Sequence, residues 1–368
     1  MAVLRFCKKN VVFCIAALAA VITCFFVPPD KAYFGYFDWK TLACLFLTLA
    51  VVCALRNIKF FTIVARRLVK ISGNLRSLFL LLIAITFIGS MLIANDMALI
   101  TFLPLGYFAL SVTHQEKYMA YLFILQNISA NLGGMLTPFG NPQNLYLYSY
   151  FNIPTSEFCG IMLPPFLLAI TLLALCCLPV KPIHLEITDN FKERLNKKRT
   201  ALYLVLFALS LLIVFRVIPY LVGLIVITAV LLWADRDALL MVDYGLLGTF
   251  FFFFIFAGNL ARIEAVHNLL SSLLDKDTLL VSVASCQGIS NVPTAILLSR
   301  FTTDYRSLLL GVNIGGTGTL IASLASLITF SEFRVLYPGH SKQYFWMFTA
   351  INVGFLMVMT VAAKLFFL

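Results

Sequence analysis

Charged side chains make up only 12 % of the 368 residues, about half the usage of a soluble domain. Acidic groups are scarcest, 16 Asp and Glu against 27 Lys and Arg, and there are four histidines. The chain has no H-E-x-x-H, no C-x-x-C, no D-D-x-x-D run and no His pair at metal-ligand spacing. These gaps exclude a structural zinc site, a thiol redox centre and the common metallohydrolase motifs. A membrane-embedded enzyme is the alternative from another class, and the side chains its chemistry needs are not there; Asp235-x-Asp237 reads as a solvated turn. His114, His184, His267 and His340 fall near the ends of apolar runs and read as loop residues. Cys14, Cys24, Cys44, Cys53, Cys176, Cys177 and Cys286 lie inside apolar runs, where cysteine acts as a small polarizable packing residue. No cofactor is expected, and no metal beyond Na⁺ as a coupling ion.

What is abundant is hydrocarbon. Residues of the AVILMFWYC class reach 61 % and the mean hydropathy is +0.97. A soluble fold of this length has too little core to bury so much apolar surface. That excludes a soluble enzyme, a disordered chain and a secreted disulfide scaffold. A net charge of +11 suggests nucleic acid in a soluble protein. Here the basic residues cluster in short loops between apolar runs, the pattern that orients a membrane protein, and no nucleic-acid partner is expected.

A membrane span needs about 20 apolar residues. Nine runs qualify: 11–28, 39–55, 119–147, 158–179, 200–217, 220–234, 244–262, 308–330 and 343–366. The first follows Arg5, Lys8 and Lys9 like a signal peptide but is long enough to span. Two further stretches, 75–112 and 277–302, are each a pair of apolar arms broken by polar residues, at Asn95-Asp96 and Ser290-Asn291. Each could be two short spans, a kinked span or a re-entrant hairpin, and loop charge separates these. The basic loops 56–76 (Arg56, Lys59, Arg66, Arg67, Lys70, Arg76) and 181–199 (Lys181, Lys192, Arg194, Lys197, Lys198, Arg199) both belong in the cytoplasm. Two full spans, 119–147 and 158–179, separate them, so 75–112 makes no net crossing; two full crossings would also fit, but with the polar residues at what would be an exposed turn, and the stretch reads as a hairpin entering from the cytoplasm. By the same logic 277–302 enters from outside. The resulting topology leaves more than twice as many basic residues inside as outside, with the N-terminus cytoplasmic and the C-terminus outside. Segments 57–72 and 262–275 are too polar to span and read as amphipathic helices lying in the interface.

The chain repeats itself. Asp30 and Asp38 precede Trp39 as Asp235 and Asp243 precede Tyr244. In each half a span, an amphipathic stretch and a broken hairpin follow. The tip Asn95-Asp96-Met97-Ala98 parallels Asn291-Val292-Pro293-Thr294, and N-x-G-G-x-x-T occurs at 131–137 and again at 313–319. The extra span 200–217 inverts the second half. Inverted repeats with broken helices are built into secondary transporters, whose sites lie near the bilayer midplane.

Polar backbone at membrane depth is tolerated only where it is buried in protein or lines a wet cavity. Four such places occur in two pairs: the tips 94–98 and 290–294, and the breaks 133–144 and 315–319. A helix ending there leaves carbonyls for a cation, and a helix starting there leaves N–H groups for an anion. Asn141-Pro142 fits an N-cap followed by the first helical residue. Candidate substrate ligands are Asn95, Asn141, Gln143, Asn144, Ser290, Asn291, Thr294, Thr317 and Thr319. Candidate cation ligands are Asn95, Asp96, Gly133, Thr137, Asn291, Gly315 and Gly316. Asp96 is the one acidic residue placed in mid-membrane, where a carboxylate serves as a Na⁺ ligand or proton carrier, or caps the helix that follows. No Lys or Arg is placed near the tips.

These motifs resemble the ion transporter superfamily of divalent-anion/sodium symporters, citrate carriers, arsenite permeases and related sodium/proton antiporters. ANDMALITFLP (94–104) and TPFGNPQNLYLY (137–148) resemble its arsenite-permease and citrate-transporter branch, and QGISNVPTAILLS (287–299) with GVNIGGTGTLIASLASLI (311–328) resembles its second half. The resemblance implies an all-α polytopic protein of the plasma membrane. It further implies a scaffold part (1–74 and 200–276), a transport part (75–180 and 277–368), a cytoplasmic linker (181–199) and an elevator-like movement within a homodimer. The chain departs from the symporters' serine-asparagine-threonine tip, with Ala-Asn-Asp in one half and Ser-Asn-Val in the other. The expected function is alternating-access transport of a small citrate- or dicarboxylate-like anion coupled to Na⁺ or H⁺. The alternative is a sodium/proton antiporter or arsenite permease on the same scaffold.

Overall fold

The computed structural model describes residues 11–69, 72–185 and 195–368. Arg5, Lys8, Lys9, Lys70, Lys192 and Arg194, used above to orient the chain, lie outside them. Among the described residues there are helices and no strand beyond one isolated bridge between Asn74 and His184. The helices are α1 (Val11–Phe26), α2 (Trp39–Asn57), α3 (Phe60–Val69), α4 (Leu75–Ile93), α5 (Asn95–Val112), α6 (Met119–Gly133), α7 (Pro142–Tyr150) and α8 (Thr155–Cys177) in the first half. The rest are α9 (Lys197–Val214), α10 (Tyr220–Ala234), α11 (Arg236–Leu240), α12 (Tyr244–Arg262), α13 (Glu264–Ile289), α14 (Asn291–Leu298), α15 (Tyr305–Ile314), α16 (Leu324–Leu336) and α17 (Ser341–Ala362). Among the described residues six stretches are long and apolar enough to cross a membrane: α2, α4, α5, α8, α12 and the C-terminal Ser341–Phe367; α1 and α10 are shorter apolar helices. The protein is an all-α polytopic membrane protein.

The repeat is visible atom by atom. Asp38 caps α2 by accepting from Thr41 N at 3.0 Å, and Asp243 caps α12 by accepting from Leu246 N at 2.9 Å. The other two aspartates brace the halves against each other. Asp30 takes both Nη atoms of Arg262 at 3.0 and 2.7 Å, while Asp235 accepts from Asn57 Nδ2 at 3.0 Å and Tyr203 OH at 3.1 Å. Asn57 and Arg262 are the last residues of the equivalent helices α2 and α12. The Arg262 guanidinium beside Asp30 holds its carboxyl below the usual carboxylate range.

The two segments expected to lie in the interface are helical, as α3 and the first limb of α13. Asp277 breaks α13 with a non-helical φ of −165°, and its Oδ1 caps the second limb by accepting from Leu280 N at 3.0 Å. In both broken stretches the two arms pack against each other as a helix pair, but the pairs differ in build. The arms α4 and α5 have 19 and 18 residues, each long enough by itself to cross. The second hairpin pairs the limb after Asp277 with the eight-residue α14. From the turn at 113–118, α5 leads back over 18 residues to the hairpin tip and α6 over 15 residues to its break. At 1.5 Å per residue these are about 27 and 22 Å, so tip and break arrive side by side. An added Cβ at Gly133 would lie 2.3 Å from the Phe87 carbonyl oxygen, so only glycine lets α6 end this close to α4.

The break in the run 308–330 is wider than 315–319. The chain stays non-helical from Gly315 to Ser323, and α16 restarts where Ser323 Oγ can accept from Ser326 N at 3.2 Å. Helices restart where a side chain can satisfy their first N–H groups, and Thr319 is used elsewhere.

Candidate functional site

The two hairpin tips have one geometry. Ala94 (φ 64°, ψ 153°) and Ser290 (φ 73°, ψ 159°) adopt the same positive-φ conformation, which costs a non-glycine residue about 1–3 kcal/mol. In each tip the next asparagine turns its Oδ1 onto the following N–H: Asn95 to Asp96 N at 3.0 Å, Asn291 to Val292 N at 2.9 Å. The breaks match the tips in the same way. Thr137 Oγ1 donates to Met91 O at 2.9 Å and Thr319 Oγ1 to Gln287 O at 3.1 Å. The repeated motifs thus mark equivalent atoms.

Asn141, Gln143 and Asn144 are buried together against Asn313 of the other half. Asn95 donates through Nδ2 to Asn131 Oδ1 at 3.3 Å, and Asn291 packs beside Gly316. Ser290 Oγ and the Asn291 N–H both reach Ala322 O, at 3.3 and 2.9 Å. The hydroxyls of Thr294 and Thr317 donate to Ser290 O and Ile314 O, both at 2.7 Å, which leaves them lone pairs but no free proton. Asn141 stands at the N-cap of α7, yet its side chain does not cap; its Nδ2 goes to Asn131 O at 3.2 Å and Asn313 Oδ1 at 3.3 Å.

The carbonyls expected to stand bare at the breaks have internal donors. Asn144 Nδ2 lies 3.1–3.4 Å from the carbonyls of Gly134, Met135 and Thr137. Gln287 Nε2 donates to Gly315 O at 2.9 Å and Thr317 O at 3.1 Å, and its Oε1 accepts from Thr319 N at 2.9 Å. The unsatisfied atoms are side-chain oxygens instead. Among the site residues, Asp96 Oδ1, Asn141 Oδ1 and Gln143 Oε1 are buried without a hydrogen-bond partner, and all three belong to the first half.

Three features were not foreseen. Arg56 Nη1 comes within 3.9 Å of Met97 Sδ, so a guanidinium does stand near the first tip, carried there by the end of α2. Gln287 and Asn313 are central to the site; both lay in the quoted motifs, as polar residues inside apolar runs. Asn127, fully buried in α6, links to α16 through Ser326 Oγ and Thr329 Oγ1, both at 3.3 Å. Among the described residues no group of three His, Cys, Asp or Glu side chains is placed to hold a metal ion.

Comparison with known proteins decides the family: a citrate transporter model matches residues 2–304. The chain belongs to the citrate transporter family. The members of this family are transporters rather than enzymes. The chain is 36 % identical over 299 residues to an uncharacterized transporter of Methanocaldococcus jannaschii, covering 80 % of this chain and 81 % of that protein. It is 28 % identical over 367 residues to the inner membrane protein YbiR of Escherichia coli, covering 96 % and 94 %. Over 168 residues it is 32 % identical to the silicon efflux transporter LSI3 of Oryza sativa subsp. japonica, covering 44 % of this chain and 34 % of that one. The expectation of an integral membrane transporter of the ion transporter superfamily is met.

Proposed function

We propose that this citrate transporter family member is a secondary active transporter that moves a small oxygen-rich acid, coupled to Na⁺ or H⁺, and binds it where the first tip and first break meet the second half. The observation that carries this is the set of three buried oxygens without partners, Asp96 Oδ1, Asn141 Oδ1 and Gln143 Oε1. An unsatisfied buried acceptor costs about 1–3 kcal/mol, so a folded protein keeps one where something else completes it. A cation or a hydroxyl donor completes an acceptor; a bare anion does not. The acid therefore arrives protonated or accompanied by its cation. A silicon efflux transporter among the relatives supports a hydroxyl-rich solute, and the citrate family model supports a carboxylic acid.

Transport follows an elevator-like path in this proposal. The hairpins are re-entrant and move with the broken helices against the scaffold in a homodimer of the plasma membrane. Arg56 to Met97, Arg216 Nη2 to Tyr148 O and Arg300 Nη2 to Tyr36 O, the last two at 2.5 Å, are among the contacts between the two parts that such a movement must exchange.

Uptake by proteoliposomes tests the reading. Silicic acid or labelled citrate should accumulate under an inward Na⁺ or H⁺ gradient and stop when the gradient is collapsed. The second reading, cation/proton antiport, rests on the unpartnered carboxylate oxygen of Asp96. Exchange of Na⁺ for H⁺ with neither solute moving would favour it over the first.

A further inference from the structure

The orientation of a buried amide decides whether it offers an oxygen or an N–H₂ to a ligand, and here a chain of anchored bonds decides it. Asn144 Nδ2 is fixed by backbone carbonyls of the first break, and a carbonyl can only accept. Its Oδ1 is therefore the atom that meets Asn313 Nδ2 at 2.6 Å, and the same Nδ2 donates to Leu309 O at 2.8 Å. That leaves Asn313 Oδ1 as the acceptor for Asn141 Nδ2 at 3.3 Å and Gln143 Nε2 at 3.4 Å. Turning either amide over would set oxygen against oxygen. Asn141 Oδ1 and Gln143 Oε1 are the atoms left over, on residues 1 % exposed.

We propose that Asn313 is a positioning residue: it lies in the second half and holds the first break so that Asn141 and Gln143 present acceptors, which selects cations and hydroxyl-bearing solutes over bare polyanions. This rests on the reading that solute or coupling ion binds at the first break. The mirror residue does not do the same work. Asn131 Oδ1 accepts from Asn95 of its own half, and its Nδ2 returns to Asn127 O at 3.2 Å. The selection is therefore built by one half upon the other.

The test is ligand-induced stabilisation of the purified full-length protein, with Na⁺, silicic acid and a sodium-free citrate salt as separate probes. The wild type should respond to Na⁺ or silicic acid and not to sodium-free citrate. Asn313→Ala frees the Gln143 amide to turn, while Asn141 Nδ2 keeps its bond to Asn131 O; the variant's apparent Kd for the responding probe should rise about tenfold, the worth of one hydrogen bond, and a response to sodium-free citrate should appear. Asn313→Asp, which when protonated keeps one donor and one acceptor, should retain the wild-type pattern. Gln143→Met, which removes an unpartnered oxygen and leaves Asn313 in place, should weaken the same probe. Wild-type affinities in Asn313→Ala overturn the proposal. So does loss of all binding that Asn313→Asp fails to restore, which marks a structural role. Should Asn313→Ala not fold, undiminished affinity in Gln143→Met overturns it alone. A wild type that responds to none of the probes removes the underlying transport reading instead.

Discussion

The two helix breaks are closed by amides of different origin. At the first, Asn144 reaches back from α7, the helix that follows the break, and satisfies its carbonyls. At the second, Gln287 reaches across from the hairpin and ties carbonyls and an N–H of the break to itself. The residue equivalent to Gln287 in the first half is Met91, which has no amide to offer. The second hairpin is therefore fastened to its break through a side chain, and the tip adds bonds to Ala322. The first hairpin is held by Thr137 and Asn95 and keeps the unpartnered carboxylate oxygen of Asp96. A single repeated sequence has become one fastened half and one half with valence to spare, and the second kind is where the proposed function places its ligand.

The largest effect is expected at the first tip. Asp96→Asn keeps the shape and removes the charge. Contacts to a charged group are each worth about 1.5–3 kcal/mol, so gradient-driven uptake should fall about tenfold or more, while solute exchange without a gradient persists. Moving the carboxylate to the mirror tip, as Asp96→Asn with Val292→Asp, should restore nothing, because that tip is already tied to Ala322. Recovery of coupling in the double variant would mean that the halves are interchangeable. The structure does not make Asp96 a helix cap, since Ala94 holds the N-cap of α5 with no side-chain cap bond, so unaltered coupling in Asp96→Asn would take Asp96 out of the coupling machinery.

Next in size is the fastening itself. Gln287→Met copies the first half into the second and strands the Gly315 and Thr317 carbonyls and the Thr319 N–H. At about 1–3 kcal/mol for a stranded buried group, and with partial relaxation, unfolding stability in detergent should drop by roughly 2–5 kcal/mol. The reverse change, Met91→Gln, strands nothing and should alter stability by about 1 kcal/mol or less. Equal losses in the two variants would contradict the difference between the halves.

Most of the fold was legible because apolar run length, basic loops and repeated dipeptides are local signals. The tips at 94–98 and 290–294, the break at 133–144 and the amphipathic arms all lie where those signals put them. The second break was set four residues too short, since Ser323 as a cap is visible only once Thr319 is known to be engaged by Gln287. The site was legible as a place rather than as a set of bonds. Asn95, Asn141, Gln143, Asn144 and Asn291 were found from their position in polar interruptions. That an amide would close each break, leaving side-chain oxygens rather than carbonyls unsatisfied, depends on the approach of α7 and of the second hairpin, which no window of sequence contains. The Arg56 guanidinium near Met97 was missed for the same reason: its place at a loop end says nothing about which tip stands beside it.

The smallest effect separates the two cross-braces. Asp235 is half-buried and bonded to Asn57 and the buried Tyr203, so Asp235→Ala should cost about 1.5–3 kcal/mol. Asp30 is exposed beside Arg262, in a pair that salt screens, and Asp30→Asn should produce a smaller shift that shrinks further as ionic strength rises. The sign of its pH dependence follows from the depressed carboxyl. A group whose pKa is lower folded than unfolded stabilises above the unfolded value and loses that contribution as pH falls through the folded one. The difference in melting temperature between wild type and Asp30→Asn should therefore be present at neutral pH and vanish as the pH drops below the ordinary aspartate value of about 3.9. Because Asp30→Asn keeps an oxygen to accept from Ala32 N, a difference that persists in acid would contradict its assignment to the charged brace between the halves.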